Sequence, residues 1–177
     1  MRKLKLFFFI IVITPLLCAV FGIIHDQVTY TISEEYYTKF KFIQFHLVDD
    51  GMNMQMDHRQ GAMIVGAMAT WWMGIPIGLF YASILVFYPA DGPLYRIYFR
   101  TVLLTFIITA LLSFIGYLAW KFEWIGSTEG WFIPEDLSDR DSFICVGSIH
   151  NFSYIGGTAG LMAGIAYLVT GRGKLKK

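Results

Sequence analysis

Four long apolar stretches, residues 6–24, 61–88, 101–120 and 143–170, leave this chain few folds to choose from. A hydrocarbon layer about 30 Å thick is crossed by about 20 residues of α-helix rising 1.5 Å each. Inside lipid the backbone must satisfy its own hydrogen bonds, so stretches of this length are expected to be helices. Hydrophobic residues make up 56% of the sequence and charged residues 15%, which sets aside an ordinary water-soluble domain. The expected fold is an all-α membrane protein. It is a single polytopic domain over 1–177 with four transmembrane helices in a compact antiparallel bundle.

Arg2, Lys3 and Lys5 ahead of the first stretch are also how a secretory signal begins. The apolar run exceeds an h-region of about 7–15 residues, and Ala19 and Gly22 make a poor cleavage site, so the first span is expected to remain as an anchor. Both ends and the connection 89–100 carry Arg2, Lys3, Lys5, Arg96, Arg100, Arg172, Lys174, Lys176 and Lys177 against Asp91 alone. Basic residues mark the cytoplasmic side, so both termini are expected there, in a bacterial-type inner membrane. The connections 25–60 and 121–142 then form the outer face, and they are acidic. A formal net charge of +1 conceals these two opposed faces. A basic tail this small is explained by topology, and nucleic-acid binding has no support.

In the first outer connection, Val28 to Ile32 reads as a short extended piece. Ser33 followed by Glu34 and Glu35 reads as the N-cap and acidic first turn of a short interfacial helix, with Tyr36, Phe40, Ile43 and Leu47 on one face. The second outer connection carries Trp124, Trp131 and Phe132, as an interfacial belt does. Cys18 and Cys145 fall within or at the edge of spans, so no loop disulfide can be built from them.

Small residues recur at every fourth position. The series Ala62, Gly66, Thr70, Gly74 and Gly78 marks the second span, Thr101, Thr105, Thr109 and Ser113 the third, and Gly156, Gly160 and Gly164 the fourth. The first has Thr14, Cys18 and Gly22. Such faces let helix backbones approach in lipid, against one another or against a partner membrane protein.

All four histidines, His25, His46, His58 and His150, fall on the outer side. Counting four back from Ala62 reaches His58, and counting four on from Gly22 reaches Asp26 with His25 beside it. His150 lies near the small-residue face of the fourth span, so His25, Asp26, His58 and His150 are expected to converge at the bundle mouth. Glu34 or Glu35 would fold over them, Lys121 continues the third ridge, and His46 reads as a loop bystander. Imidazoles with carboxylates suit a transition metal such as zinc, iron or copper, and two facing imidazoles suit haem. Separately, Met52, Met54, Met56 and His58 form a soft set of the kind Cu(I) prefers, although methionines here also serve as apolar anchors.

The sequence contains no HExxH, GxSxG or phosphate-binding glycine loop. Three functions stay open: an outward-facing metal or haem site acting on a membrane-soluble substrate, a small copper carrier, or an accessory subunit of a membrane complex. The lipid bilayer is the one partner common to all three.

Overall fold

The computed structural model describes residues 2–49, 54–89 and 92–174. Every regular element among them is helical: α1 Arg2–Ile32, α2 Glu34–Tyr36, a π-helical turn Tyr37–Lys41, α3 Phe42–Gln44, α4 His58–Thr70, a 3-10 turn Trp71–Met73, α5 Gly74–Leu85, α6 Leu94–Lys121 and α7 Arg140–Lys174. Four stretches of helix, Arg2–Ile32, His58–Leu85, Leu94–Lys121 and Arg140–Gly171, are long and apolar enough to cross a membrane.

The second of these is not one unbroken helix, because Trp71–Met73 tightens into a 3-10 turn between α4 and α5. Pro76 supplies the reason: it has no N–H to give, and its ring clashes with the carbonyl four residues earlier, that of Trp72. Thr70 reinforces the break: its single hydroxyl hydrogen is shared between the carbonyls of Gly66 at 2.7 Å and Cys18 at 2.8 Å.

The small residues form two seams. Along the first, α1 lies against α4 and α5. A Cβ at Gly22 would collide with the carbonyl oxygen of Gly66, and one at Gly74 with the backbone of Pro15. Along the second, α6 lies against α7. A Cβ at Gly156 would come within 2.8 Å of the Thr109 Cα, and one at Gly160 within 2.8 Å of the Thr105 carbonyl oxygen. In both seams the contacts run in opposite sequence order. Thr105, Thr109 and Ser113 turn their hydroxyls back onto the carbonyls four residues earlier, which keeps polar hydrogen bonds within the helix and its surface thin.

Tyrosines join the two seams. Tyr81 of α5 pairs with Thr105 Oγ1 at 2.6 Å, Tyr98 of α6 pairs with Thr14 Oγ1 at 3.0 Å, and Tyr88 donates to the carbonyl of Leu168. Around them Leu6, Ile10, Ile77, Leu85, Leu94 and Leu168 form one buried apolar cluster. A second cluster, built on Tyr30, Tyr36, Tyr37, Phe42, Val65 and Phe143, closes the end that carries segments 33–49, 54–57 and 122–139. The opposite flank of α1 exposes Leu4, Phe8, Val12, Leu16, Val20, Ile24 and Val28 at every fourth position.

Two local expectations are corrected. Residues 28–32 are the last turn of α1 and not an extended piece. Their β-branched side chains favour strand locally, but Asp26, Thr29 and Tyr30 are buried on the helix face, and Arg59 stacks over the Tyr30 ring at 4.9 Å. The helical segment after Ser33 begins as expected, with Ser33 Oγ accepting from Tyr36 N at 3.2 Å. Its inward face is Tyr36, Tyr37, Lys41 and Phe42, while Ile43 is exposed. The π-helical turn is responsible, since it spaces the inward pairs by five residues where a regular helix would space them by three or four.

The tight first seam carries a direct consequence. Gly22→Val forces backbones apart at the closest approach and is expected to destabilise by about 3 kcal/mol, near the upper end of overpacking costs. In a thermal melt of the detergent-solubilised protein this corresponds to a loss of roughly 6–12 °C. Gly126→Ala, at a site where a Cβ would meet nothing within 4 Å, should leave the midpoint unchanged.

Candidate metal centre

The depth of the site is set by the first seam. One turn beyond Gly22, α1 presents His25 and Asp26, and the buried Asp26 is only 2% exposed. From the second seam α7 presents His150, two residues after Ser148, whose hydroxyl donates to the Gly116 carbonyl at 2.7 Å. His150 is 5% exposed. The two seams thus bring donors from separate helix pairs to one point.

His25 Nδ1 lies 3.1 Å from Asp26 Oδ1, and His150 Nε2 lies 3.9 Å from that same oxygen. One ligand atom from each of the three residues falls within 4.8 Å of the others. An ion bonded at about 2.0–2.2 Å holds its ligand atoms roughly 3–4 Å apart, so the group needs only a small contraction to close on one. Thr29 Oγ1 sits 3.4 Å from His150 Nε2 and pairs with the Tyr37 hydroxyl at 2.6 Å. Tyr36 stacks on the His150 ring with centroids 5.1 Å apart, and Phe21 stacks on His25 at 6.2 Å. Burial holds the Tyr36 and Tyr37 phenols well above their ordinary range, with the Asp26 carboxylate adding to it, so the roof of the site stays protonated and neutral.

Two buried polar atoms here have no hydrogen-bond partner, His25 Nε2 and Asp26 Oδ2. Leaving such a group unsatisfied costs about 1–3 kcal/mol. Both belong to residues of the three-residue group, while the short spacings within it run through the other two atoms, His25 Nδ1 and Asp26 Oδ1. A porphyrin is a poor match. Haem held by two histidines lies between their rings, whereas His25 and His150 already meet edge to face at 4.8 Å and 86°.

The remaining residues singled out from the sequence lie elsewhere. His58 is exposed and bonded through Nδ1 to Glu34 Oε1 at 2.8 Å, outside the three-residue group. The seam explains its height. Gly22 faces Gly66, and Gln27 bonds to the Arg59 carbonyl at 2.9 Å, so the first residue of α4 stands about one turn beyond His25. The Glu34 carboxyl is held below its ordinary range chiefly by that bond to His58, then by Tyr30. Glu35 also stays out of the centre. It accepts from the backbone N–H groups of Ser138 at 3.0 Å and Asp139 at 2.8 Å and pairs with Lys39 at 2.9 Å.

Met54 packs in the second cluster, over Gly61 and Phe42, and Met56 is half-buried. Met52 lies outside the described residues. His46 and Lys121 are exposed. Thr29, Tyr36 and Tyr37 complete the surroundings. Thr29 follows His25 by four and was obscured by the strand-like pattern of 28–32.

His25 borders two apolar spaces. One is a chamber of about 70 Å³ between the seams, walled by Phe21, Met73, Phe106 and Tyr154. The other is a groove of about 380 Å³ between α1 and α6, lined by Ile24, Val28, Phe114 and Tyr117 with Thr29 and Ser113 as its hydroxyls. The chain matches no protein-family model, no curated protein and no solved structure.

Glu35 ties Ser138 and Asp139 to the helical segment after Ser33, and its protonation should release them. The two backbone N–H bonds and Lys39 lower its pKa from 4.5 to about 2. A depressed carboxyl contributes stability that is present above the ordinary value and lost as pH falls through the lowered one. Protection of the Ser138 and Asp139 amides, taken relative to their intrinsic exchange rates, is therefore expected to fall between pH 4.5 and about 2. Glu35→Gln should show the lower protection already at neutral pH.

Proposed function

We propose that this chain is an integral membrane protein whose four helices cross a bacterial-type inner membrane as an antiparallel bundle with both termini cytoplasmic. In this reading His25, Asp26 and His150 hold a transition-metal ion in the outer half of the bilayer, and the ion acts on a membrane-soluble substrate. The observation that carries it is the buried carboxylate of Asp26, with one oxygen unpartnered, between two imidazoles from different helix pairs. Ionisable groups inside a membrane bundle are costly and mark functional sites.

Two imidazoles and a carboxylate are the donor set of zinc hydrolases and of non-haem iron oxygenases. Such an ion supplies Lewis acidity or, if iron, redox chemistry. The chain's own residues do the rest. Tyr36 and Phe21 fix the planes of the two imidazoles by stacking. Thr29 holds a hydroxyl against His150. The apolar walls of the α1–α6 groove admit a lipid-soluble molecule sideways and exclude water, with Ser113 and Thr29 available to orient a polar head.

The copper-carrier alternative is supported less, because Met54 packs against Gly61 and Phe42 as an apolar anchor. An accessory role draws on the small-residue faces, and those of α4, α5 and α7 are taken up by contacts within the chain.

The purified protein, equilibrated with Zn(II) or Fe(II) and freed of excess, is expected to retain about one ion per chain by elemental analysis. X-ray absorption should show imidazole in its shell. Asp26→Asn and His150→Gln are expected to weaken retention by tenfold or more, since even outer-shell changes cost about 10–100-fold. His58→Gln should retain the ion. Equal retention by His150→Gln and the parent, or a bound ion with no imidazole ligand, overturns the assignment.

A further inference from the structure

Beside the candidate metal centre lies a third cavity, of about 310 Å³, open to the outside and lined by the helical segment 34–44, segment 130–132 and α7. Tyr36, which stacks on His150, also lines this cavity, as do Phe40, Trp131 and Phe132. Asn151 and Gln44 contribute amides. Its size is at the small end of ligand pockets, about 300–1,000 Å³.

Lys41 is the only charged residue among those lining it, and it is 5% exposed. Its ammonium has three N–H donors. One reaches Gln44 Oε1 at 2.9 Å, and no carboxylate lies within ion-pair distance among the described residues. The Phe40, Tyr36 and Phe45 rings stand 4.8, 5.7 and 5.9 Å from Nζ and offer their π faces. Rings stabilise a cation without accepting its hydrogen bonds, so two donors of this buried side chain have no protein acceptor among the described residues. Burial lowers the Lys41 pKa, and the more distant Asp26 opposes that. The π-helical turn is what spaces Lys41 five residues after Tyr36 and turns both inward.

We infer that this cavity is a binding site for an organic monoanion, a carboxylate on an apolar body. The carboxylate meets Lys41 and the Asn151 amide, and the body lies among Tyr36, Phe40, Trp131 and Phe132. A single cation and neutral amides compensate one negative charge and leave a phosphate dianion short. The walls are aromatic, which favours a flat or slender apolar group.

The test uses the full-length protein in detergent, with 4-fluorophenylacetate as the probe followed by fluorine NMR. Saturable broadening is expected, with 4-fluorophenylethanol, the neutral analogue, at least about tenfold weaker. Lys41→Met, an apolar substitution of similar shape, should weaken the acid by about tenfold or more, while Lys41→Arg should stay within about threefold. Melting curves establish that each variant is folded, and Lys41→Gln serves if Lys41→Met is not. Protein stripped of metal, and His150→Gln, should still bind the acid. That separates this site from failure of the metal reading. Equal affinity for acid and alcohol, unchanged binding by folded Lys41→Met, no saturable binding at all, or binding lost on metal removal would each overturn the proposal.

Discussion

The near-contact of Gly22 with Gly66 governs the molecule. If the four long helices lie in lipid, as proposed, there is no apolar driving force to bring them together, and association depends on how closely backbones can approach. Two glycines facing each other set α1 against α4, and this fixes the height of everything beyond them. His25 and Asp26 follow one turn above on α1, and His58 is carried a further turn up, out of reach. A larger residue at either glycine would shift that register, and the donor group with it.

Much of this was legible in the sequence, for reasons that can be traced to particular residues. The four long helices were legible because uninterrupted apolar runs of that length favour helix, and the seams because small residues at every fourth position mark one face where backbones can approach. The helix start at Ser33 was readable because a hydroxyl before two glutamates satisfies free backbone donors and suits the helix dipole. The convergence of His25, Asp26 and His150 followed from register counted along those seams.

What failed did so where tertiary packing overrode local pattern. Residues 28–32 have strand-like side chains but take part in a buried helix face, because Tyr30 and Thr29 find partners in Arg59 and Tyr37. No sequence rule announces a π-helical turn, so the inward direction of Lys41 could not be counted out. His58 was misplaced because counting along one helix gives direction and not height; height depends on where the neighbouring helix starts. Glu35 found backbone N–H groups of a distant segment, a bond that only the folded chain can reveal.

The division of the donors between the seams has a thermodynamic meaning. His25 and Asp26 belong to one helix pair and His150 to the other, and across the bundle the pairs are also joined by tyrosine hydroxyls, two apolar clusters and the bonds of Glu35 to Ser138 and Asp139. A ligand that bridges the halves favours their union by RT ln(1 + [L]/Kd), so cohesion of the bundle and occupancy of its centre are one linked equilibrium. Were such a ligand bound there, the centre would also act as a clasp between the two halves of the bundle.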